Sequence, residues 1–237
     1  MSDRWRLGLA GGYTKSSLDV EGRRSSASID SYHVAAYGGA QLGAVAARLG
    51  AAYAWHNVET GRTIDLGSFS DRTKARYDAR AAQVFGEVGY EVALGRVALE
   101  PFAGFSYVNL DTDHFSEKGG AAALTSFSGG HDVTFSSLGL RLATDFALDD
   151  RSRVTARGAV GWRHAFGDAT PTTLLAFRGG GTQFAIAGVP IARDSLLAEV
   201  GLDISLSDKV LLGLAYDGQI AGNARDHAVR GNLSIRF

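Results

Sequence analysis

The feature that most constrains this chain is its last stretch. Val229, Gly231, Leu233, Ile235 and Phe237 interleave with Arg230, Asn232, Ser234 and Arg236, so apolar and polar residues alternate without a miss. Successive side chains of a β-strand point to opposite faces, so one face of this ribbon is apolar and the other carries two arginines. Two environments suit such a ribbon. In a soluble sheet the apolar face meets a packed core; in a membrane barrel it meets lipid while the charged face lines a lumen.

The same period of two recurs along the chain. Trp5, Leu7, Leu9, Gly11 and Tyr13 oppose Arg6, Gly8, Ala10, Gly12 and Thr14, and comparable segments begin at Tyr32, Val45, Ala82, Val97, Leu138, Val154, Ala198 and Val210. With the terminal stretch these make about ten strands, each long enough for the ~9–11 residues a tilted strand needs to cross a bilayer. A helix is excluded because the repeat is not 3.6 and glycine is frequent inside the segments. No apolar run is long enough for a transmembrane helix, and no apolar stretch follows Arg4 as a signal peptide would require. The 237 residues contain no cysteine, which removes disulfides and thiolate metal sites, and a formal charge of -1 removes the electrostatic argument for nucleic acid.

Connection lengths decide between the two environments. Short turns are expected near Gly43, Gly95, residues 149–151 and residue 208; long ones are expected at 19–28, 59–74, 113–130 and 167–193. Short and long therefore alternate, which puts short turns at one end of a hairpin series and long loops at the other. Outer-membrane barrels are asymmetric in this way; a Greek-key sandwich has no reason to be. Aromatics on the apolar parity fall near strand ends: Tyr13, Tyr32, Trp55, Tyr107, Trp162, Phe166 and Tyr216 by the long loops, Trp5, Tyr90, Phe146 and Phe237 by the short turns. Rings at the two headgroup levels form such girdles. The expectation is an all-β, antiparallel, up-and-down transmembrane β-barrel of about ten strands, a single domain over 1–237.

On that parity the lumen-lining charges are Arg48, Glu87, Glu91, Glu100, Arg141, Asp145, Arg157, Arg163, Glu199, Asp203, Asp217, Arg230 and Arg236. Neighbouring strands offer opposite signs, Arg48 against Glu87, and Arg157 or Arg163 against Glu199 or Asp203. Such pairs are inexpensive in a wet bore and cost several kcal/mol per ion in a dry core. Charge alone leaves open whether the bore conducts, holds a plug or threads a polypeptide.

Three stretches resemble the C-terminal translocator barrel of bacterial autotransporter (type V secretion) proteins. Leu99-Glu100-Pro101-Phe102-Ala103-Gly104 is similar to the family's middle strand. Gly161-Trp162-Arg163-His164-Ala165-Phe166-Gly167-Asp168 is similar to its tryptophan-bearing strand, and Gly188-Val189-Pro190 to the loop that follows. Tyr216-Asp217-Gly218 and the run to Phe237 resemble its end. The resemblance implies a monomeric pore in a Gram-negative outer membrane that supports export of an N-terminal passenger. The family form has twelve strands and a pore helix; counted back from Phe237, this chain supplies the last ten, and either closure or a gap is geometrically permitted. The resemblance further implies that Gly231, Leu233, Ile235 and Phe237 form an insertion signal for the barrel-assembly machinery, captured by β-augmentation. A free-standing small barrel acting as channel or adhesin is the alternative.

Catalytic, cofactor and metal sites are not expected. The six histidines, His33, His56, His114, His131, His164 and His227, show no ligand spacing with a carboxylate. His131 and Asp132 are strand neighbours and point apart, so they do not converge on a nucleophile at Ser136 or Ser137. Gly179-Gly180-Gly181 lacks the lysine and helix start of a phosphate loop and reads as a flexible outer loop.

Overall fold

The computed structural model describes all residues except 1–4, 21–23, 128, 148–151, 208 and 236–237. Fourteen strands follow in order: β1 (Trp5–Val20), β2 (Ser25–Leu42), β3 (Val45–Asp65), β4 (Ser70–Tyr90), β5 (Val92–Leu94), β6 (Val97–Thr112), β7 (Leu124–Ser126), β8 (Gly129–Ala147), β9 (Arg153–Phe166), β10 (Thr172–Phe177), β11 (Phe184–Ala187), β12 (Asp194–Ser207), β13 (Val210–Ala221) and β14 (Arg225–Ile235). Ten of them form one antiparallel meander, β1-β2-β3-β4-β6-β8-β9-β12-β13-β14, with β5 continuing β4 against β6. The ten expected strands are these ten. Of the two-residue hairpin turns, two place glycine first at positive φ, Gly43 at 65° and Gly95 at 64°, the backbone twist a tight hairpin favours; residue 208 in the third lies outside the described residues.

Side chains tell the two faces of the sheet apart. Leu7, Leu9, Leu49, Val88, Leu138, Val200, Leu214 and Leu233 are all exposed and all on the apolar parity. On the other parity, side chains reach past a neighbouring strand: Arg48 on β3 touches Glu100 on β6, Arg141 on β8 touches Glu87 on β4, and Arg163 on β9 touches Gln219 on β13. Only the concave side of a curled sheet brings second-neighbour strands that close. The apolar set is therefore convex and the ionic set concave. Tyr13, Tyr32 and Trp55 are direct cross-strand partners over three strands on the convex face, a continuous piece of the expected girdle.

Among the described residues β1 pairs only with β2 and β14 only with β13, so the curled sheet is open between them. Of the closures that the sequence permits, the structure has the gap.

Two of the four expected long connections are corrected. Residues 59–74 are mostly strand: β3 and β4 stay in unbroken register from Val45↔Tyr90 to Asp65↔Ser70, and β1 and β2 likewise pair as far as Val20↔Ser25. The apolar parity ends where these hairpins leave the bilayer, because water then lies on their convex side. The other two connections do not hang as free loops. They carry β7, β10 and β11, which form a separate sheet in the order β11-β10-β7.

Candidate functional site

The concave face holds a four-membered ionic cluster from four successive strands of the sheet. Arg48 on β3 donates from Nη1 to Glu87 Oε1 at 3.0 Å and Glu100 Oε1 at 2.7 Å, and from Nη2 to Glu100 Oε2 at 2.9 Å. Arg141 on β8 donates to Glu87 Oε1 and Oε2 at 2.7 and 2.6 Å and to Glu100 Oε1 at 2.8 Å. Each carboxylate is thus held by both guanidiniums. A cluster so shared keeps its geometry better than isolated surface pairs, whose contribution is ~0–1 kcal/mol each.

Glycine makes these reaches possible. A Cβ on Gly89 would lie 2.6 Å from Glu100 Oε1, so Glu100 crosses β4 through the space a side chain would fill. Phe102, whose ring lies 3.9 Å beneath the Arg141 guanidinium, occupies the equivalent space over Gly139. Phe85 lies over Gly50 and Tyr37 over Gly8 in the same manner. These concave rings were not singled out from sequence; each is an aromatic on the polar parity beside a glycine on a neighbouring strand, which is the signal that finds them.

The remaining expected lumen residues sit as follows. Arg157 lies 3.8 Å from Glu199 and 3.4 Å from Asp203. Arg163, expected against one of those carboxylates, instead donates to Gln219 Oε1 at 3.2 Å with its guanidinium 5.6 Å from the Phe135 ring centroid. Asp217 accepts from Arg230 Nε and Nη2 at 2.8 and 2.6 Å, Asp145 from Thr155 at 2.6 Å, and Glu91 from Gln41 at 3.4 Å. Cavities of about 330 and 470 Å³ lie between Arg141 and the β12 wall. Gly231, Leu233 and Ile235 are exposed on β14, the last strand of the sheet; Arg236 and Phe237 lie outside the described residues.

Histidines do not gather. His164 Nδ1 is 2.8 Å from Asp194 Oδ1 on the convex face, where Trp162 Nε1 also donates to Asp194 at 2.9 Å; His227 Nδ1 is 2.6 Å from the Tyr216 hydroxyl. His33 and His56 are on the concave face with ring centroids 6.2 Å apart, and no carboxylate joins them in a three-residue cluster among the described residues.

At the long-loop end the sequence reasoning missed a whole structure. Residues 113–127 fold back onto the concave face of the β3–β4 hairpin and, with β10 and β11, cap the mouth. Arg62 donates from Nε and Nη2 to the two Glu117 oxygens at 2.8 and 2.6 Å, and Glu117, only 4% exposed, also accepts the Leu124 N–H at 2.9 Å. Phe115 stacks on Tyr77 at 4.4 Å, and Lys74 and Lys118 exchange backbone hydrogen bonds of 2.9 and 2.7 Å. Asp71 accepts the N–H groups of Ala122, Gly120 and Arg72 at 2.9, 3.0 and 2.7 Å. The Ala122 bond above all, against some desolvation, holds its carboxyl below the usual range, helped by the other two amides and by Arg62. Beneath the cap lies a mostly apolar cavity of about 290 Å³ lined by Leu18, Val20, Phe115, Leu124, Leu175 and Ile186.

A curled meander, apolar outside and ionic inside with one capped end, is the wall of a membrane translocator or channel. Residues 1–217 match the family model described as Autotransporter beta-domain. The chain belongs to that family: it is an autotransporter β-domain of the outer membrane of a Gram-negative bacterium. Two curated relatives from Serratia marcescens, each named extracellular serine protease, are 39% and 38% identical over 98% and 99% of this chain. This chain spans 22% of either relative's length. Among solved structures the fold is similar to the translocator domain of NalP from Neisseria meningitidis, with a TM-score of 0.76, 17% identity, and 100% of this chain and 76% of that one covered. It is also similar to the transport unit of AIDA-I from Escherichia coli, with a TM-score of 0.69, 15% identity, and 100% and 78% covered.

Proposed function

We propose that residues 1–237 act as one domain that supplies most of the wall of a pore, through which a linked N-terminal passenger reaches the cell surface, and that the wall itself carries no catalysis. The observation that carries this reading is the concave face, where the cations of β3 and β8 flank the anions of β4 and β6 in equal number and leave no net field to trap a passing chain of either sign. Arg48, Glu87, Glu91, Glu100, Arg141, Asp145, Arg157, Arg163, Glu199, Asp203, Asp217 and Arg230 line the bore; sequence parity alone assigns the same role to Arg236, which lies outside the described residues. The protease activity in the relatives' names is theirs. Unpaired backbone groups at the edges of β1 and β14 would each cost several kcal/mol in hydrocarbon, so two further strands complete the cylinder in the membrane, as in the twelve-stranded family form.

Assembly is the role of the C-terminal motif. β14 is an edge strand whose free side accepts β-augmentation, with Gly231, Leu233, Ile235 and Phe237 presented to the barrel-assembly machinery and then to lipid. Deletion of Phe237 reduces heat-modifiable barrel in outer membranes; unchanged insertion would discard the signal role.

The export reading is tested in the complete reading frame with an epitope placed ahead of residue 1. Protease added to intact cells is expected to remove the epitope. A heat-modifiable barrel with its epitope shielded in the periplasm contradicts export.

A further inference from the structure

The β3–β4 hairpin continues well beyond the girdle, and its two faces there carry opposite chemistry. Register is unbroken from Val45↔Tyr90 to Asp65↔Ser70, so parity carries over from the bilayer. The concave positions Thr73, Ala75 and Ala79 are buried under the cap, whereas Arg72, Lys74, Arg76, Asp78 and Arg80 point outward and are exposed. Four of those five outward positions on β4 are cationic; the β3 half of the same face adds Asn57, Glu59, Gly61, Thr63 and Asp65, so the cations are concentrated on β4. Arg76 is held by Glu59 at 2.7 Å with its own side chain 79% exposed. Arg72, Lys74 and Arg80 have no acidic side chain within ion-pair distance among the described residues.

Height matters as much as sign. Arg80 is the direct cross-strand partner of Trp55, a girdle residue, so it stands at the boundary between acyl chains and headgroups. Lys74 is six residues further along, ~20 Å at strand rise, or ~15 Å above it at the usual tilt. The ladder therefore spans the layer in which the outer leaflet carries its phosphorylated sugars. Elsewhere above the girdle the convex parity carries Asp30, Asp111, Asp132 and Asp194 against Lys15, which pairs with Asp30 at 3.7 Å, and Arg225, so among the described residues no other strand there gathers several cations.

We propose that the outward face of the β3–β4 hairpin is a docking surface for the phosphorylated headgroup of the outer-leaflet glycolipid. Guanidinium forks match phosphate geometry, and cations beside a membrane draw anionic headgroups. Protection of an open edge is a weaker account of the ladder. Above Ala79 no long strand pairs β4, yet the cap segment already meets that edge, with Lys74 and Lys118 exchanging backbone hydrogen bonds; charge of either sign blocks further edge pairing, and acids would be repelled by the leaflet. The proposal rests on the outer-membrane placement of the barrel and leaves the export reading independent of it.

The test uses the full chain folded in detergent and incubated with a bisphosphorylated disaccharide glycolipid, bound lipid being counted by native mass spectrometry. Wild-type protein is expected to retain at least about tenfold more lipid than the Arg72→Gln/Lys74→Gln/Arg80→Gln variant, and to lose it in high salt. The dephosphorylated glycolipid is retained poorly by both, and Arg72→Lys/Arg80→Lys keeps part of the binding. Heat-modifiable migration reports folding of each variant; if the triple variant misfolds, salt and dephosphorylation on wild-type protein decide alone. Equal retention by folded wild type and triple variant, or equal retention of phosphorylated and dephosphorylated lipid, overturns the proposal. So does a surface that binds an acidic polypeptide and not the glycolipid. Export of the epitope by a variant that has lost the lipid separates this site from the pore.

Discussion

Replacing Arg62 by methionine removes the cation that holds Glu117 under the cap while keeping most of the side chain's apolar stem. Breaking a buried ion pair from one side costs ~3–5 kcal/mol because the remaining charge is stranded. Glu117's side chain is 5% exposed but Arg62's is 33% exposed, so solvent already screens part of the pair and the loss falls to ~2–3 kcal/mol. Nothing in the bilayer wall depends on this pair, so the cost should appear as cap opening rather than global unfolding. At about 1.4 kcal/mol per tenfold, the open population rises ~30- to 150-fold. Hydrogen exchange in detergent micelles reads this directly at the amides of Leu124 and Ser126, which donate to Glu117 Oε2 and to the Phe115 carbonyl. Their exchange should accelerate by that factor while β9 and β12 amides stay unchanged. Adding Glu117→Gln to Arg62→Met should recover part of the loss, since an amide is less costly to strand than a carboxylate. An acceleration below about threefold, or one shared equally by the wall, would refute the latch.

Other perturbations probe the wall and the cap separately. Gly139→Ala places a Cβ 2.6 Å from the Val160 carbonyl oxygen and from Phe102, and overpacking of this kind costs ~1–3 kcal/mol in urea unfolding; Gly12→Ala, with open space around it, should be near neutral. Leu140→Arg on the convex face should cost ~2–4 kcal/mol of barrel stability, and Ser106→Arg on the concave face far less, by the same assay. Because the Asp71 carboxyl is depressed in the folded cap, its contribution is present above the ordinary carboxylate pKa of ~3.9 and is lost as pH falls through the lower folded value. Exchange of the Ala122 and Gly120 amides, corrected for intrinsic rate, should therefore speed up on acidification below about pH 4, and Asp71→Asn should abolish that step.

Where lipid touches the chain, the fold could be read from residue order. Leu7, Leu9 and Tyr13, or Val200, Leu202 and Ile204, carry the period of two because hydrocarbon demands apolar side chains at every second position. Above the headgroups that demand reverses. On β1 the concave residues become Leu18 and Val20, and on β4 the convex ones become Arg72, Lys74 and Arg76; a pattern sought as apolar-outward stops there, and the strand extensions read as loops. The cap was harder still. β7 has three residues and β11 four, too few for any period, and Arg62 meets Glu117 across 55 residues of chain. Among the lumen charges, Arg48 with Glu87 followed from direct strand neighbourhood, but Arg48 with Glu100 and Arg163 with Gln219 needed the curvature that brings second-neighbour strands together.

The central claim is that one side of each ribbon meets hydrocarbon and the other water, and the absence of cysteine makes it accessible to single-cysteine scanning along β12. Cysteines at Ala198, Val200, Leu202 and Ile204 should carry a fluorophore quenched by brominated lipid and resist a water-soluble maleimide. Cysteines at Glu199, Asp203 and Ser205 should react with the maleimide and escape quenching. A scan without this alternation, both sets reacting alike from the aqueous phase, would contradict the account.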